Sequence, residues 1–279
     1  MSLEHLVGRG YGPFRLRISP EKVAEYVAAT GDDPGRWVEA APPSYAGALL
    51  FTVAPALLQS DDVAGYTAVV IHADQVFRWH GPLTVGTGIT VTGRVERVRT
   101  LGGAIFVSFS AAVEGAVGVL LESAATFVLG SERDEDPIDE RAEPDVRHHS
   151  GFDPLPGLGE DGWHAVTRSA GRADLVRYAA ASGDFNPIHW DHAAAVRAGL
   201  PATVVHGLLM GAWLLQPPAL AGEGADPLVT ARLRFRQPLF AAEVALLAGT
   251  VSPDGTADLR LSRRGGVDLV TARVEMRGR

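Results

Sequence analysis

The stretch VVHGLLMGAWLLQ, residues 204–216, decides the fold of this chain of 279 residues. It is apolar on almost every side and long enough for a helix, and a helix without a polar face must be enclosed by other elements. Four runs with strand-like patterns follow it: PLVTARLRFRQPLF (227–240), AEVALLAGTV (242–251), TADLRLSRR (256–264) and VDLVTARVEMRG (267–278). We therefore expect an α+β unit in which five to seven antiparallel strands curve around the helix.

The first half of the chain repeats this order of elements. Ser19 is a suitable cap for the helical segment 20–33, and an apolar segment follows at 45–59. Strand-like runs follow at 67–83, 87–98, 104–114 and 118–130. Two short sequence similarities support a duplication: ATGDD (29–33) matches ASGDF (181–185), and VFRWHGPL (76–83) matches RFRQPL (234–239). The sequence predicts two similar units in one chain.

A change of composition separates these two units. Residues 131–161 are acidic at first and then rich in proline and glycine, a composition that buries too little apolar surface to fold alone. We predict an N-terminal unit over residues 1–130, a linker over 131–161 and a C-terminal unit over 162–279.

Composition and charge exclude several classes of function. The chain has no cysteine, which excludes disulfides, thiolate metal sites and a cysteine nucleophile. The net charge is −8 without a dense Lys/Arg run, so we expect no nucleic-acid partner. The N-terminus lacks a signal-peptide pattern, and the apolar run 47–58 is too short to cross a bilayer. We expect a soluble cytoplasmic protein without a membrane partner.

The motif SGDFNPIH, residues 182–189, carries the chemistry in our interpretation. Gly183 is placed to end a helix, and the Asn-Pro pair at 186–187 favours a turn. That turn can bring His189 back toward Asp184, and a carboxylate beside an imidazole is a natural acid/base pair. The alternative is structural: the aspartate caps a helix end, and the histidine is merely packed.

Gly207, at the start of the apolar helix, is a second candidate. The N–H groups of a first helical turn lack internal partners and carry partial positive charge. Without a side chain, the glycine lets a ligand oxygen approach this N–H closely. Alternatively, Gly207 only allows two backbones to pack closely.

Residues 178–214 resemble the MaoC-like, (R)-specific enoyl-CoA hydratase family. The resemblance rests on Tyr178, SGD (182–184), NPIH (186–189), Asp191, AG (198–199) and HG (206–207). It implies a double hotdog, which is two hotdog units in one chain, each with an antiparallel sheet wrapped around a central helix. It also implies that Asp184 and His189 hold the reactive water, while Gly207 supplies an oxyanion-hole N–H. We interpret Asp184 as the base toward water and His189 as its partner in proton delivery.

The first half departs from this motif and only loosely resembles an N-terminal dehydratase domain. Aligning TGDDPGRW (30–37) with SGDFNPIH places Asp32 opposite Asp184 but Trp37 opposite His189. An indole N–H cannot exchange protons with water at neutral pH. We therefore expect a degenerate first unit that lines an acyl-chain tunnel, and one active site per chain.

The resemblance implies hydration of trans-2-enoyl thioesters, or the reverse dehydration, on acyl-CoA or an acyl carrier protein. We expect no cofactor and no metal, and a homodimer is one possible assembly. Three alternatives stay open: a thioesterase, a non-catalytic acyl-thioester binding module, and a metal site built from His189, Asp191, His192 and His206. Asp191 is also explained as a helix cap. Five arginines are candidates for phosphate contacts: Arg232, Arg234, Arg236, Arg263 and Arg264.

Overall fold

The computed structural model describes residues 3–66, 70–130, 151–152 and 162–278. Within these ranges a single antiparallel sheet has the strand order β1-β3-β4-β5-β2-β8-β11-β10-β9-β7-β6. The strands are β1 (Gly10–Arg17), β2 (Ile71–Trp79), β3 (Gly88–Leu101), β4 (Ala104–Gly115), β5 (Gly118–Leu129), β6 (Gly151–Phe152), β7 (Trp163–Ser169), β8 (Leu228–Phe235), β9 (Ala245–Val251), β10 (Thr256–Arg263) and β11 (Asp268–Met276).

The α-helices fall where the sequence predicts helical segments. They are α1 (Pro20–Thr30), α2 (Ala46–Val53), α3 (Pro55–Leu58), α4 (Arg172–Ser182), α5 (His192–Arg197) and α6 (Gly207–Ala221). Ser19 caps α1 by accepting a hydrogen bond from the Lys22 N–H at 3.2 Å, as the sequence predicts. No helix in the described ranges is both long and apolar enough to span a bilayer.

The apolar helix α6 is enclosed as predicted. Every residue from Leu208 to Ala219 is buried, and the helix packs on β8, β10 and β11. Burial of this much apolar side-chain surface is the main favourable contribution to folding of the second half. The helix also runs further than the stretch 204–216 suggested, because it continues through Pro217 and Pro218.

The corresponding helix of the first half is interrupted. The apolar segment 45–59 forms α2 and then α3, which begins at Pro55. A proline has no N–H to donate to a preceding turn, so it favours a new helix start at this point. Helix α2 packs on β1, β3, β4 and β5, so that this half has its own enclosed helix.

The two halves are joined through their sheets. Strand β2 of the first half pairs antiparallel with β8 of the second, with Asp74 opposite Arg234. Helices α1 and α4 also meet, and the rings of Tyr26 and Tyr178 lie 5.9 Å apart. The sequence motif at the end of α4 is therefore held beside the first half.

Most of the predicted linker, residues 131–161, lies outside the described residues. Within it, Gly151 and Phe152 form β6 and pair with Ser169 and Arg168 of β7. The Phe152 ring covers Gly31, whose φ of 66° is left-handed; a Cβ built there would lie 2.4 Å from the ring. This contact ties the short strand to the first half of the chain.

Candidate active site

The SGDFNPIH motif forms a tight turn after α4. The helix ends at Ser182, and Gly183 follows in the left-handed conformation with φ of 81°. Asn186 then caps a single 3₁₀ turn, Pro187–His189, by accepting a hydrogen bond from the Ile188 N–H at 3.4 Å. The turn reverses the chain direction between Asp184 and His189.

The turn brings the two titratable side chains face to face. The Asp184 Oδ2 lies 3.9 Å from the His189 Nε2, and the side chains are 13% and 9% exposed. A distance of 3.9 Å is too long for a direct hydrogen bond, and polar atoms at such a separation are suited to sharing a water molecule. Both side chains line the same cavity.

Backbone groups fix the orientation of both side chains. The His189 Nδ1 lies 2.8 Å from the Val204 carbonyl oxygen, which can only accept, so Nδ1 carries the proton. The Nε2 of a neutral ring then has a lone pair directed toward Asp184. The Asn186 N–H donates to the Asp184 Oδ1 at 3.4 Å, which leaves Oδ2 on the histidine side.

Burial shifts the pKa values of Asp184 and His189 in opposite directions. It raises the pKa of Asp184 above its usual 3.8, although the nearby His189 and the Asn186 N–H oppose the shift. It lowers the pKa of His189 below its usual 6.5, against the influence of Asp184 and the Val204 carbonyl. Burial therefore favours a neutral imidazole at His189, and it makes Asp184 take up a proton at a higher pH than an exposed aspartate does.

His206 packs against the Asp184–His189 pair. Its ring stacks on His189 with 3.8 Å between centroids, and its Nε2 donates to the Asp184 carbonyl at 3.2 Å. Burial and the adjacent His189 hold the pKa of His206 well below its usual value, so the two stacked rings are both neutral. The Tyr178 ring meets His206 edge-on at 4.8 Å. The sequence did not indicate this stacking.

Gly207 is the first residue of α6 and lines the same cavity as the pair. The three atoms nearest to a Cβ built on it all belong to the Phe235 ring, the closest at 3.4 Å. Close packing of two backbones therefore does not account for this glycine. The positive end of the α6 dipole faces a space in which a ligand oxygen can approach.

The cavity has a volume of about 500 Å³ and receives side chains from both halves of the chain. Phe51 of α2, Leu58 of α3 and Phe127 of β5 form part of its apolar wall. This size and this mixture of apolar walls with a few polar groups are typical of small-molecule sites.

Comparisons with known proteins agree with this geometry. The family model of the MaoC like domain matches residues 158–271, and that of the FAS1-like dehydratase domain region matches residues 5–121. An (R)-specific enoyl-CoA hydratase of Aeromonas caviae is 32% identical over 114 residues, which cover 38% of this chain and 84% of that protein. The chain belongs to the MaoC-like hydratase and dehydratase family.

Other members of the MaoC-like family extend the match along the chain. The 3-hydroxyacyl-thioester dehydratase X of Mycobacterium tuberculosis is 29% identical over 200 residues, which cover 72% of this chain and 66% of that protein. The crystal structure of HtdX from the same organism has a TM-score of 0.75 at 25% identity and covers 96% of this chain and 100% of that one.

The fold itself is also known. A further M. tuberculosis protein, described as a double hotdog, has a TM-score of 0.61 at 13% identity and covers 97% of this chain and 96% of that one. The predicted α+β double hotdog is thereby confirmed.

The first half of this MaoC-like chain contains a counterpart of the pair. The Trp37 Nε1–H donates to the Asp32 Oδ1 at 3.0 Å, so the indole occupies the position that the alignment gave it opposite His189. Burial raises the pKa of Asp32, and the indole hydrogen bond opposes the shift. Within the described part of the chain, neither Asp32 nor Trp37 lines the cavity.

Two polar residues of the motif have structural partners. The Ser182 hydroxyl donates to the Tyr178 carbonyl at 2.7 Å, as a residue at a helix end does. Asp191 caps α5 by accepting from the Ala194 N–H at 3.1 Å. The alternative metal site would therefore have other ligands: among the described residues, the acidic and imidazole atoms that lie within 4.8 Å of one another belong to Asp184, His189 and His206, without Asp191 or His192.

The candidate arginines are in different environments. Arg236 is exposed and lies at the cavity lining. Arg263 forms an ion pair with Glu243 at 3.2 Å and donates a hydrogen bond to the Pro238 carbonyl. Arg234 is an exposed residue 3.8 Å from Asp74. Of these three arginines, Arg236 is the one that lines the cavity.

Proposed function

We propose that this chain hydrates trans-2-enoyl thioesters to (R)-3-hydroxyacyl thioesters and catalyses the reverse dehydration, with Asp184, His189 and Gly207 as its catalytic groups. Membership of the MaoC-like family makes the chain a hydro-lyase that acts on acyl thioesters. The observation that carries the assignment of residues is the 3.9 Å separation of Asp184 and His189 beside the start of α6, in one cavity.

Asp184 and His189 would hold the reacting water between them. In hydration, Asp184 accepts one proton as the water oxygen bonds to C3, and that proton then passes to C2 of the enolate. The His189 Nε2, whose lone pair faces Asp184, accepts a hydrogen bond from the other hydrogen, which stays on the oxygen, and so orients the water. This assigns His189 a role in orienting water in place of the proton delivery expected from the sequence, because Nδ1 holds the ring proton.

Gly207 would bind the thioester carbonyl oxygen. That oxygen becomes negative as the enolate forms, and a fixed N–H at the positive end of α6 stabilises the charge without reorganisation. Loss of such a donor typically costs on the order of 10²–10³ in rate. Dehydration uses the same contacts, since the same enolate is formed when the C2 proton leaves.

The division of the chain follows from where the cavity lies. We propose that residues 162–279 supply the catalytic groups and that residues 1–130 have lost chemistry and shape the acyl end of the site. The first-half residues Phe51, Leu58 and Phe127 at the cavity support this division, as does the Asp32–Trp37 hydrogen bond away from it. The chain would then have one active site.

The carrier of the acyl group is CoA or an acyl carrier protein, and both end in a phosphorylated pantetheine arm. Arg236 is exposed at the cavity and is the candidate for contact with that phosphate. Changing Arg236 to Gln should raise KM for both kinds of carrier while kcat changes little. A homodimer remains a prediction, for which light scattering of the purified chain is the measurement.

An absorbance assay of the enoyl double bond tests the function. We expect crotonyl-, octenoyl- or branched enoyl-CoA to lose this absorbance with the wild type, and the Asp184→Asn and His189→Ala variants to be nearly inactive. Activity should survive chelation, since no step requires a metal. Release of free thiol without formation of the 3-hydroxyacyl product would show a thioesterase and overturn the proposal.

A further inference from the structure

His206 contacts both parts of the proposed site without lining the cavity. Its Nε2 lies 3.2 Å from the Asp184 carbonyl oxygen, and its ring stacks on that of His189 with 3.8 Å between centroids and 24° between planes. It is also the residue directly before Gly207, at which α6 begins. The side chain is fully buried, and the cavity is lined by the neighbouring Val205 and Gly207 but not by His206. The ring therefore lies behind the cavity wall, and the proposed reaction makes no direct use of it.

One nitrogen of this ring has a partner in the fold and the other does not. A carbonyl can only accept, so Nε2 carries the ring proton and donates a hydrogen bond to the Asp184 carbonyl. Among the described residues, no hydrogen-bond partner reaches the buried Nδ1 of His206. An unpaired polar atom in a core is costly, and an apolar ring of similar size avoids that cost. Packing alone therefore does not explain an imidazole at this position.

The first half of the chain contains the same packing around a different ring. Tyr45 is the residue directly before α2, as His206 is before α6. Tyr26 of α1 and Tyr178 of α4 each lie four residues before the end of their helix. The ring of Tyr26 meets that of Tyr45 edge-on at 5.2 Å, and the ring of Tyr178 meets that of His206 edge-on at 4.8 Å. This contact is common to both halves and does not require an imidazole.

The two halves differ in what else this ring contacts. In the second half, the ring at position 206 is bonded to the Asp184 carbonyl and stacked on His189. In the first half, Asp32 is bonded to Trp37, and no hydrogen bond joins Tyr45 to Asp32 among the described residues. The imidazole at the start of the helix therefore accompanies the aspartate–histidine pair and not the packing of the fold.

We infer that His206 is a positioning residue for the hydration reaction, and that its Nε2–H fixes the Asp184–His189 pair at the distance from the Gly207 N–H that the reaction needs. This role rests on the proposed function, because water has to reach C3 while the thioester oxygen stays at the start of α6. A misplacement of about 1 Å in such an arrangement costs on the order of 10²-fold in rate. His206 can set the distance because its side chain contacts the turn while its backbone leads directly into the helix.

Hydration of octenoyl-CoA by the full chain tests this, with kcat and KM measured separately. His206→Phe keeps an aromatic ring but removes the donor, so we expect kcat to fall on the order of 10–10²-fold while KM stays within about threefold. Calorimetric binding of octanoyl-CoA, which has no double bond to hydrate, should also stay within about threefold of the wild type. A kcat within about threefold of the wild type overturns the inference, as does a weaker binding that accounts for the whole loss.

His206→Gln separates the hydrogen bond from the ring. Its amide can still donate to the Asp184 carbonyl, so we expect a kcat at least about threefold above that of His206→Phe. Equal values of kcat in the two variants would contradict a role of the hydrogen bond.

Tyr45→Phe is the matched control, because it makes the same kind of change at the residue before α2. We expect its kcat to stay within about twofold of the wild type, since no catalytic group depends on this ring. A loss equal to that in His206→Phe would indicate packing at the helix starts and overturn the inference.

A double variant tests whether His206 acts through the pair. Residues that act as one unit give losses that do not multiply, so His206→Phe combined with His189→Ala should lose less than the product of the two single losses. Losses that multiply would show that His206 acts independently of His189 and would overturn the inference.

His206→Tyr introduces the residue that the first half has at this position, and it replaces His206→Phe if that variant does not fold. If neither variant shows a thermal unfolding transition, His206 is required for folding, and the positioning role is overturned. A wild type that does not hydrate octenoyl-CoA contradicts the proposed function, whereas an active wild type with an equally active His206→Phe contradicts the positioning role alone.

Discussion

The two halves of the chain place an aspartate at the same point and use it differently. In the second half, Asp184 follows α4 and faces His189 across 3.9 Å at the edge of a cavity. In the first, Asp32 follows α1 and is bonded directly to Trp37 at 3.0 Å. The helices before them also match, since Ser182 and Thr30 each donate to a carbonyl four residues back.

The difference shows how an indole in place of the imidazole accompanies the change from a polar site to a structural contact. A neutral imidazole has a lone pair with which it can hold water, whereas an indole N–H can only donate. Trp37 therefore donates directly to the Asp32 Oδ1, and a separation of 3.0 Å leaves no room for a shared water between the two atoms. The aspartate remains, but its hydrogen-bonding capacity is used within the fold.

The largest effect should come from the second-half pair. We expect Asp184→Asn and His189→Ala each to lower kcat/KM on the order of 10²–10⁴-fold in the hydration assay, because each removes a group that holds the water. Asp32→Asn is the matched control and should change kcat/KM less than threefold. An equal loss in Asp32→Asn would mean that the two halves do not differ in chemistry.

A double variant tests whether the first half can recover activity. Trp37→His in the His189→Ala background recreates an aspartate–histidine pair at Asp32. We expect no recovery, because the described cavity does not include either residue of that pair. A recovery of tenfold or more would show that the first half reaches substrate, and would contradict the proposed single site.

A glycine-to-alanine change in the first turn of α6 should lower activity more than the same change in the first turn of α2. Gly207→Ala places a methyl group beside the amide that is proposed to bind the thioester oxygen, and we expect a loss of roughly 10–10²-fold in kcat/KM. Gly47→Ala in α2 is the control, since its Cβ would meet only the Leu208 side chain, at 3.3 Å. Comparable losses in both variants would indicate a packing effect and remove Gly207 from the catalytic set.

The pH dependence of kcat/KM should reflect the titration of Asp184 and His189 and not that of Asp32. Activity needs Asp184 ionised and His189 neutral, so it falls as acid protonates either group. Because burial raises the pKa of Asp184, we expect the acid limb of kcat/KM at a higher pH than an exposed aspartate would give, whereas the lowered pKa of His189 moves its own protonation to more acidic pH. Asp32→Asn should leave this limb in place; a limb that moves with Asp32 would contradict the assignment.

The smallest effect concerns stability. A carboxyl whose pKa is raised in the folded state adds stability below its unfolded pKa, and this is lost as pH rises through the folded value. At neutral pH the buried Asp184 carboxylate therefore destabilises the fold, and Asp184→Asn should raise Tm by a few degrees. Asp32→Asn should raise it less, because Trp37 and the Asp33 N–H stabilise that charge. A lower Tm for Asp184→Asn in calorimetry would contradict this.

The fold could be predicted largely from two apolar helices and the strand patterns after them. Strands β1, β6 and β7 were missed, and β6 lies within the predicted linker, residues 131–161. Strand β1 contains Pro13 beside a bulge between Tyr11 and Phe14, and most of its residues are exposed at the sheet edge, so it lacks an alternating pattern. Strand β7 is seven residues long and directly follows the predicted linker, so its pattern was not separated from the change of composition.

The site was predictable only where its chemistry is local in sequence. Asp184 and His189 lie within the motif 182–189, so their spacing and turn residues could be interpreted together, and Gly207 was recognisable as the start of the apolar helix. The stacking of His206 on His189 depends on how α6 approaches the turn, which spacing does not specify. His72 enters the cavity because β2 pairs with β8, a contact between residues more than 150 positions apart.

The pairing of β2 with β8 has a consequence for how such a molecule can change over generations. In an assembly of two identical chains, a substitution always appears in both copies, so replacing a catalytic histidine would silence both centres together. Here the two copies are encoded separately and still share one continuous sheet. Substitutions in the first half can therefore remove reactive groups and reshape the cavity wall, while the second half keeps the residues for the reaction.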